Sequence, residues 1–190
     1  MIKFYSISDA RWFTTPAGEK LIKLPGQSKW IPRISVGELV YVSADKEALK
    51  KKKSVQEGTK VHKEIENGEL DLSGSIDFKI EAKEVLAWHV TREGRAVVGI
   101  IDAVGVNAEG QWVVADWKNV SWLRPVTHAS MGSYRKQVAV CAFLFEQTYQ
   151  KDVFEGQVIQ IMERKIADVH KIGRRGLHQN LIVTLPEVAH

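Results

Sequence analysis

Residues 95–118 read RAVVGIIDAVGVNAEGQWVVADWK, and their pattern decides the fold. Two runs rich in Val and Ile, 95–106 and 111–118, flank a short segment with turn chemistry, Asn107 to Gly110. Such β-branched runs separated by a few polar residues and a Gly predict two antiparallel strands joined tightly. If the loop is Ala108, Glu109 and Gly110, with Gly110 at positive φ, then Asn107 faces Gln111 and opposed residue numbers sum to 218. Asp102 then stands opposite Asp116, with Cβ atoms roughly 5 Å apart on one face. Two carboxylates so placed repel. Either the loop differs in length and one aspartate faces solvent, or a divalent cation bridges them, since carboxylate oxygens bind hard cations. Lys118 returns to the same face two residues after Asp116 and neutralises part of that charge in either case.

Outward from this hairpin, residues 76–90 alternate loosely and predict a preceding strand. After a loop, LRPVTHASMGS, residues 134–150 (YRKQVAVCAFLFEQTYQ) predict a helix with Val138, Cys141, Ala142 and Phe145 as its buried stripe. Gln137 lies on the edge of that stripe, so it points inward and needs partners. Beyond it, GQVIQIMER and NLIVTL predict two more strands separated by the basic turn KIGRRG. On the N-terminal side, ADKEALKKKKSVQEGTKVHKEIE predicts helix, bent near Gly58 and stopped at Asn67-Gly68. The run Lys50 to Lys53 reads as a solvated face or as a track for phosphates. Residues 1–42 predict short strands (YSIS, RWF, EKLIKL, ELVYVS) broken by TTPAG, PGQS and IP. The order helix, three strands, helix, strand implies an α/β or α+β core, a mixed sheet with helices packed on it.

At 190 residues, 44% hydrophobic and 26% charged, the chain is long enough for one core and excludes collagen-like and largely disordered classes. No apolar run reaches the roughly 20 residues of a membrane span, and the N-terminus has neither signal- nor transit-peptide character, so a cytoplasmic protein is expected. The single cysteine, Cys141, excludes a disulfide framework, a four-cysteine zinc site and a cysteine-ligated iron–sulfur cluster. Net charge is +4, yet residues 67–118 carry 5 bases and 9 acids between basic flanks. That distribution suits a polyanion held at the periphery and a cation at the centre.

Five segments in order, GTKVH (58–62), a strand glutamate at Glu84, GIID (99–102), ADWK (115–118) and YRKQ (134–137), resemble the PD-(D/E)XK nuclease superfamily, most closely its RecB-like exonuclease branch. RWFTTPAG and WIPRIS are similar to N-terminal segments of mitochondrial genome maintenance exonuclease-like and related phage proteins. The resemblance covers roughly residues 11–150. It departs from the family at Cys141, where a Tyr is common, and at Arg33, where Ser is usual.

The resemblance implies a restriction-endonuclease-like core within a single nuclease domain, 1–190. Residues 1–56 would be an N-terminal elaboration, 57–166 the catalytic core and 167–190 a C-terminal strand extension. It implies Asp102 and Asp116 as main metal ligands, with the Trp117 carbonyl, His62 and Glu84 completing the set and Glu81 competing with Glu84. Lys118 would orient the attacking water and offset charge on the phosphate, and Gln137 would fix Lys118 or the water. The implied cofactor is Mg²⁺ or Mn²⁺, one or two ions, without an iron–sulfur cluster; acidic oxygen ligands suit these ions better than zinc. The implied activity is metal-dependent exonucleolytic hydrolysis of DNA, at ends or on single strands, in recombination, replication or repair. The protein would be phage-encoded or nucleoid-associated, with recombination or replication proteins as possible partners. Tyr134, Trp122, Arg124 and His128 are expected on the nucleic acid, the last two from the loop after the hairpin. Trp112 is expected in the core.

Alternatives from other classes are a binding module on the same fold without catalysis, a structure-specific endonuclease, and an unrelated hydrolase. For the last, no GxxxxGK[ST], GxGxxG or GxSxG segment is present. His62-Lys63-Glu64 matches the start of a zinc deaminase motif, but the P-C-x-x-C partner is missing.

Overall fold

The computed structural model describes residues 2–41, 60–120 and 126–185. Lys50 to Lys53, Gly58, Thr59, Trp122 and Arg124 lie outside the described residues. The order is a 3₁₀ turn (Ile7–Asp9), β1 (Arg11–Thr14), β2 (Lys20–Lys23), β3 (Ile31–Ser35), α1 (Val36–Val40), α2 (60–66), a second 3₁₀ turn (Ser73–Ser75) and β4 (Phe78–Val90). β5 (Ala96–Asn107), β6 (Trp112–Asn119), α3 (His128–Tyr149), β7 (Val153–Met162), β8 (Lys165–Gly173) and α4 (Arg174–Thr184) follow. The result is a mixed α+β protein with a central mixed sheet flanked by helices. Among the described residues no helix is long and apolar enough to cross a membrane.

The eight strands form one sheet in the order β1-β2-β3-β5-β6-β7-β8, with β4 also paired to β5. β3 runs parallel to β5 and β6 parallel to β7; the other pairs are antiparallel. The β5–β6 ladder has Ala103 opposite Ala115 and Val106 opposite Trp112, the expected register. Asn107 N–H donates to the Gln111 carbonyl at 3.0 Å, and Gly110 takes φ +75. The three-residue loop is therefore as read from Gly110.

β5 is the central strand, and one of its edges changes neighbour. Residues 96–98 pair with β3, residues 103–106 pair with β6, and 99–102 lie between the two ladders. The sheet splits there. α3 covers one face of the sheet, burying Val138, Cys141, Ala142 and Phe145 as expected, together with Leu144, against Val97, Ile101, Val104, Val114 and Val158. A second cluster, built on Trp117, Ile159, Ile161 and Phe78, lies under Ile65 of α2. Trp112 packs on Phe4 and Phe145, a core role as expected.

Several local readings are corrected. The described part of ELVYVS, 38–41, is not a strand: Ser35 accepts from Glu38 N–H while Glu38 accepts from Ser35 N–H, a capping box that starts α1. YSIS is a 3₁₀ turn tied by Ser6 N–H to Asp9. Pro32 does not break the chain but sits inside β3 opposite Leu21. The helix predicted from 134 begins at His128, because Thr127 Oγ1 accepts the Ser130 N–H and caps it; Ser130, Gly132 and Ser133 are weak helix formers that hid this start. His128 is thus an exposed residue of the first helical turn and not of a loop.

NLIVTL is likewise not a strand, and KIGRRG is the junction of β8 with α4. Leu177, Leu181 and Leu185 recur every four residues and pack against the α3 side of the core, while Ile182 and Val183 stay exposed. Burial of that leucine stripe overrides the strand preference of Ile, Val and Thr. The C-terminal extension is therefore a strand followed by a helix.

Candidate metal centre

The site lies where β5 parts from β6. The next rung of the 218 register would set Asp102 against Asp116, but the ladder ends at Ala103/Ala115. Instead the Trp117 N–H donates to Asp102 Oδ2 at 2.7 Å, so a carboxylate replaces a strand carbonyl as acceptor. On the other side of β5, Lys83 opposes Ala103 and Val85 opposes Ile101, which brings Glu84 level with Asp102. Glu84 has φ 50, a left-handed backbone that side chains with a Cβ adopt reluctantly. The alternation breaks here on both strands: Ala82 and Val85, like Ile101 and Val104, contribute to the α3-side core at a spacing of three. A strained non-glycine residue inside a strand costs on the order of 1–3 kcal/mol and points to a function that needs it.

α2 supplies the third group. His62, Glu84 and Asp102 offer ligand atoms that all lie within 4.8 Å of one another. His62 Nε2 is 2.9 Å from the Trp117 carbonyl, which only accepts, so Nε2 carries the hydrogen. In the neutral ring the Nδ1 lone pair then faces Asp102, whose Oδ1 is 3.7 Å away. A hydrogen bond that holds one ring nitrogen and frees the other is the usual support of a metal-binding histidine. α2 is itself anchored: Lys83 Nζ donates to the Ile65 carbonyl at 2.6 Å, and Arg164 donates to the buried Glu64 at 2.7 Å.

Asp116 is turned the other way. Its Oδ1 accepts from Lys118 Nζ at 3.0 Å and from Gln137 Nε2 at 2.8 Å. Lys118 Nζ also lies 2.7 Å from Oδ2, but that buried oxygen has no well-directed hydrogen bond among the described residues. Gln137 Oε1 accepts from Lys118 at 3.2 Å and from the Tyr41 hydroxyl at 3.1 Å. Tyr41 closes this network from the end of α1 and was absent from the sequence reading; the Ser35-x-x-Glu38 capping signature would have revealed the short helix that presents it. Lys118 stands 5.0 Å from the Tyr134 ring centroid.

Of the residues singled out in the sequence, His62, Glu84 and Asp102 form one group, and Asp116, Lys118 and Gln137 form another beside it. Trp117 joins them, its N–H on Asp102 and its carbonyl on His62. Glu81 is exposed at a bulge in β4 and pairs with Lys79, so the geometry brings Glu84 inward and leaves Glu81 out. Cys141 lines the crevice with Asp102, Asp116 and Val138, but burial pushes its thiol well above the usual range, which leaves no thiolate nucleophile.

The electrostatics are those of crowded acids. Burial, then Asp116, push Asp102 up to about 6 from 3.8, against the pull of His62 and Lys118. Burial, then Asp102 and Glu66, push Glu84 up to about 7 from 4.5. Both groups hold protons more tightly folded than unfolded. Stability is therefore expected to fall as pH rises through the window from about 4 to about 7, where the unfolded chain has already ionised. Thermal melts of metal-free protein across that window check it; a flat or rising Tm would show that these two carboxyls are not desolvated.

No protein-family model matches the chain, and no curated protein matches it. Among solved structures, the crystal structure of SSO0001 is similar at 18% identity and a TM-score of 0.49, covering 86% of this chain and 82% of that one. A likeness of that size carries no argument about activity.

Proposed function

We propose that the protein is a metal-dependent nuclease of the PD-(D/E)XK type, acting as an exonuclease on DNA. The observation that carries this reading is the pairing of two groups at one split in a sheet: three potential ligands within 4.8 Å, and beside them a lysine held by a carboxylate and an amide. The donor set fits a small hard cation, since two carboxylates and one imidazole favour Mn²⁺ or Mg²⁺, and the unsatisfied Asp116 Oδ2 offers a further oxygen. The Trp117 carbonyl retains a lone pair for the same purpose.

When bound, such an ion supplies a hydroxide near neutral pH and offsets charge on a phosphate. The protein's own groups do the rest. His62, Glu84 and Asp102 would hold the ion, and Lys118 would set its ammonium where charge grows on the phosphate oxygens. Gln137, fixed by Tyr41, keeps Lys118 and Asp116 in register. Tyr134 lies beside Lys118 and His128 opens α3 toward solvent, positions from which both reach a nucleic acid.

The test is digestion of end-labelled single- and double-stranded DNA with Mg²⁺, Mn²⁺ or EDTA, by the wild type and by Asp116→Ala. Metal-dependent degradation that disappears in the variant is expected. Wild type and variant that bind DNA but are equally inert would replace this reading by the catalysis-free module. Mn²⁺ is also expected to raise Tm more near pH 7.5 than near pH 4.5, because protons compete for Glu84 and Asp102 at the lower value.

A further inference from the structure

The N-terminal strands carry a surface that the site above does not use. In the β1–β2 ladder Arg11 opposes Lys23 and Phe13 opposes Leu21, and Leu21 in turn opposes Pro32 of β3. Opposed and alternate residues share a sheet face, so these five lie on one side. Trp30 continues the β2–β3 register to the position opposite Lys23. Its ring meets that of Phe13 at 5.9 Å between centroids, tilted by 55°. Both rings stay open to solvent, Phe13 50% exposed and Trp30 44%. Core packing does not account for two large aromatics that touch each other and leave half their surface in water.

The charges beside them are equally unsatisfied. Directly opposed like charges destabilise a sheet, yet Arg11 and Lys23 form such a rung, and neither makes an ion pair or side-chain hydrogen bond among the described residues. The ladder positions of this face carry no acid. Lys20 is neutralised by Glu38 of α1, and Glu19 lies beyond the ladder at the turn. Arg33, on the opposite face, is taken up by Trp12, with its guanidinium 4.8 Å from the ring centroid.

Open aromatic faces beside a rung of uncompensated cations match a chain of phosphates carrying unstacked bases. A duplex hides its base faces from such rings. The location fits as well: Ile34, two residues after Pro32, packs into the α3-side cluster together with Val114, two residues before Asp116. β3 also pairs with β5 at 96–98, immediately before the split. The surface thus shares one face of the sheet with Asp116, Lys118 and Gln137.

We propose that Phe13 and Trp30, with Arg11 and Lys23, form a stacking platform that binds single-stranded nucleic acid and leads it toward the split. This deepens the nuclease reading and takes its substrate class from it. The test is fluorescence anisotropy of labelled oligo(dT), an abasic oligonucleotide and a duplex of equal length, titrated with the full chain in EDTA. Oligo(dT) is expected to bind best. Phe13→Ala and Trp30→Ala each weaken it about tenfold, Trp30→Phe retains binding, and the abasic strand loses most of the preference. Arg11→Ala and Lys23→Ala lower the salt dependence of binding. Equal affinity of wild type and Trp30→Ala for oligo(dT), or a preference for duplex, overturns the platform. Digestion in Mn²⁺ reads the nuclease separately. A protein that binds through Trp30 but never digests refutes the nuclease alone, and one that digests while Trp30→Ala binds normally refutes the platform alone.

Discussion

Lys118→Met is expected to lower metal-dependent DNA hydrolysis on the order of 10²–10³-fold, the usual loss when a group aimed at transition-state charge is removed. It is also expected to lower Tm. The ammonium sits between Asp116 oxygens at 3.0 and 2.7 Å, the two side chains only 17% and 8% exposed. Burial works against the charge of Lys118, but Asp116 and Asp102 outweigh it and hold the lysine protonated above its usual range. Removing the cation leaves a desolvated carboxylate beside Asp102. Breaking a buried pair in this way costs roughly 3–5 kcal/mol, and the lower end applies to a site that opens into a crevice. The double variant Lys118→Met with Asp116→Asn separates the two effects. An amide at 116 removes the stranded charge, so Tm recovers while hydrolysis does not. Steady-state digestion and thermal melts of the three proteins check this; wild-type hydrolysis by Lys118→Met would remove Lys118 from the proposed machinery.

Gly105→Ala is expected to damage the fold without touching the site. Gly105 sits in β5 between Ile80 of β4 and Val113 of β6. A Cβ there would come 2.2 Å from the Lys79 carbonyl oxygen and 2.6 Å from Phe78 Cδ2. The first obstacle is backbone of a paired strand, which cannot swing aside as a side chain does. β4 must move away, and with it the bulge after Ile80 that sets the register leading to Glu84. Overpacking of this kind costs about 3 kcal/mol, which in a chain of this size corresponds to a Tm lower by about 6–12 °C. A melt followed by circular dichroism checks it, and a loss under about 1 kcal/mol would mean that β4 yields without strain.

The hairpin at the centre of the molecule was legible because its determinants are local. Gly110 supplies a positive φ that few residues adopt, and the Val- and Ile-rich runs on either side leave one register in which apolar residues face the core. Asn67-Gly68 stopped α2 for the same reason, with Gly68 at φ 76. The stripe Val138, Cys141, Ala142 and Phe145 was readable from period alone. Where local preference and burial disagree, the sequence misleads. In 174–184 the β-branched residues favour a strand, but Leu177, Leu181 and Leu185 find a hydrophobic surface on α3 and decide for helix. At α1 and at the start of α3 the signals are caps, Ser35 with Glu38 and Thr127 with Ser130, which a reading by hydrophobic period passes over.

The sequence by itself determined the strand pair that carries Asp102 and Asp116, the register that a three-residue loop ending at Gly110 would impose, and the helix that brings Gln137 inward. All three rest on interactions between residues close in the chain or on periodicity along one element. Only the tertiary structure decided how the acids divide. Asp102 turns to His62 and Glu84, and Asp116 turns to Lys118 and Gln137, because β5 exchanges β3 for β6 at residues 99–102 and the ladder opens between the two aspartates. The left-handed backbone of Glu84, the hydroxyl of Tyr41 and the Trp117 carbonyl that orients His62 belong to the same level. Each depends on elements far apart in sequence packing against one another, and no local preference encodes that contact.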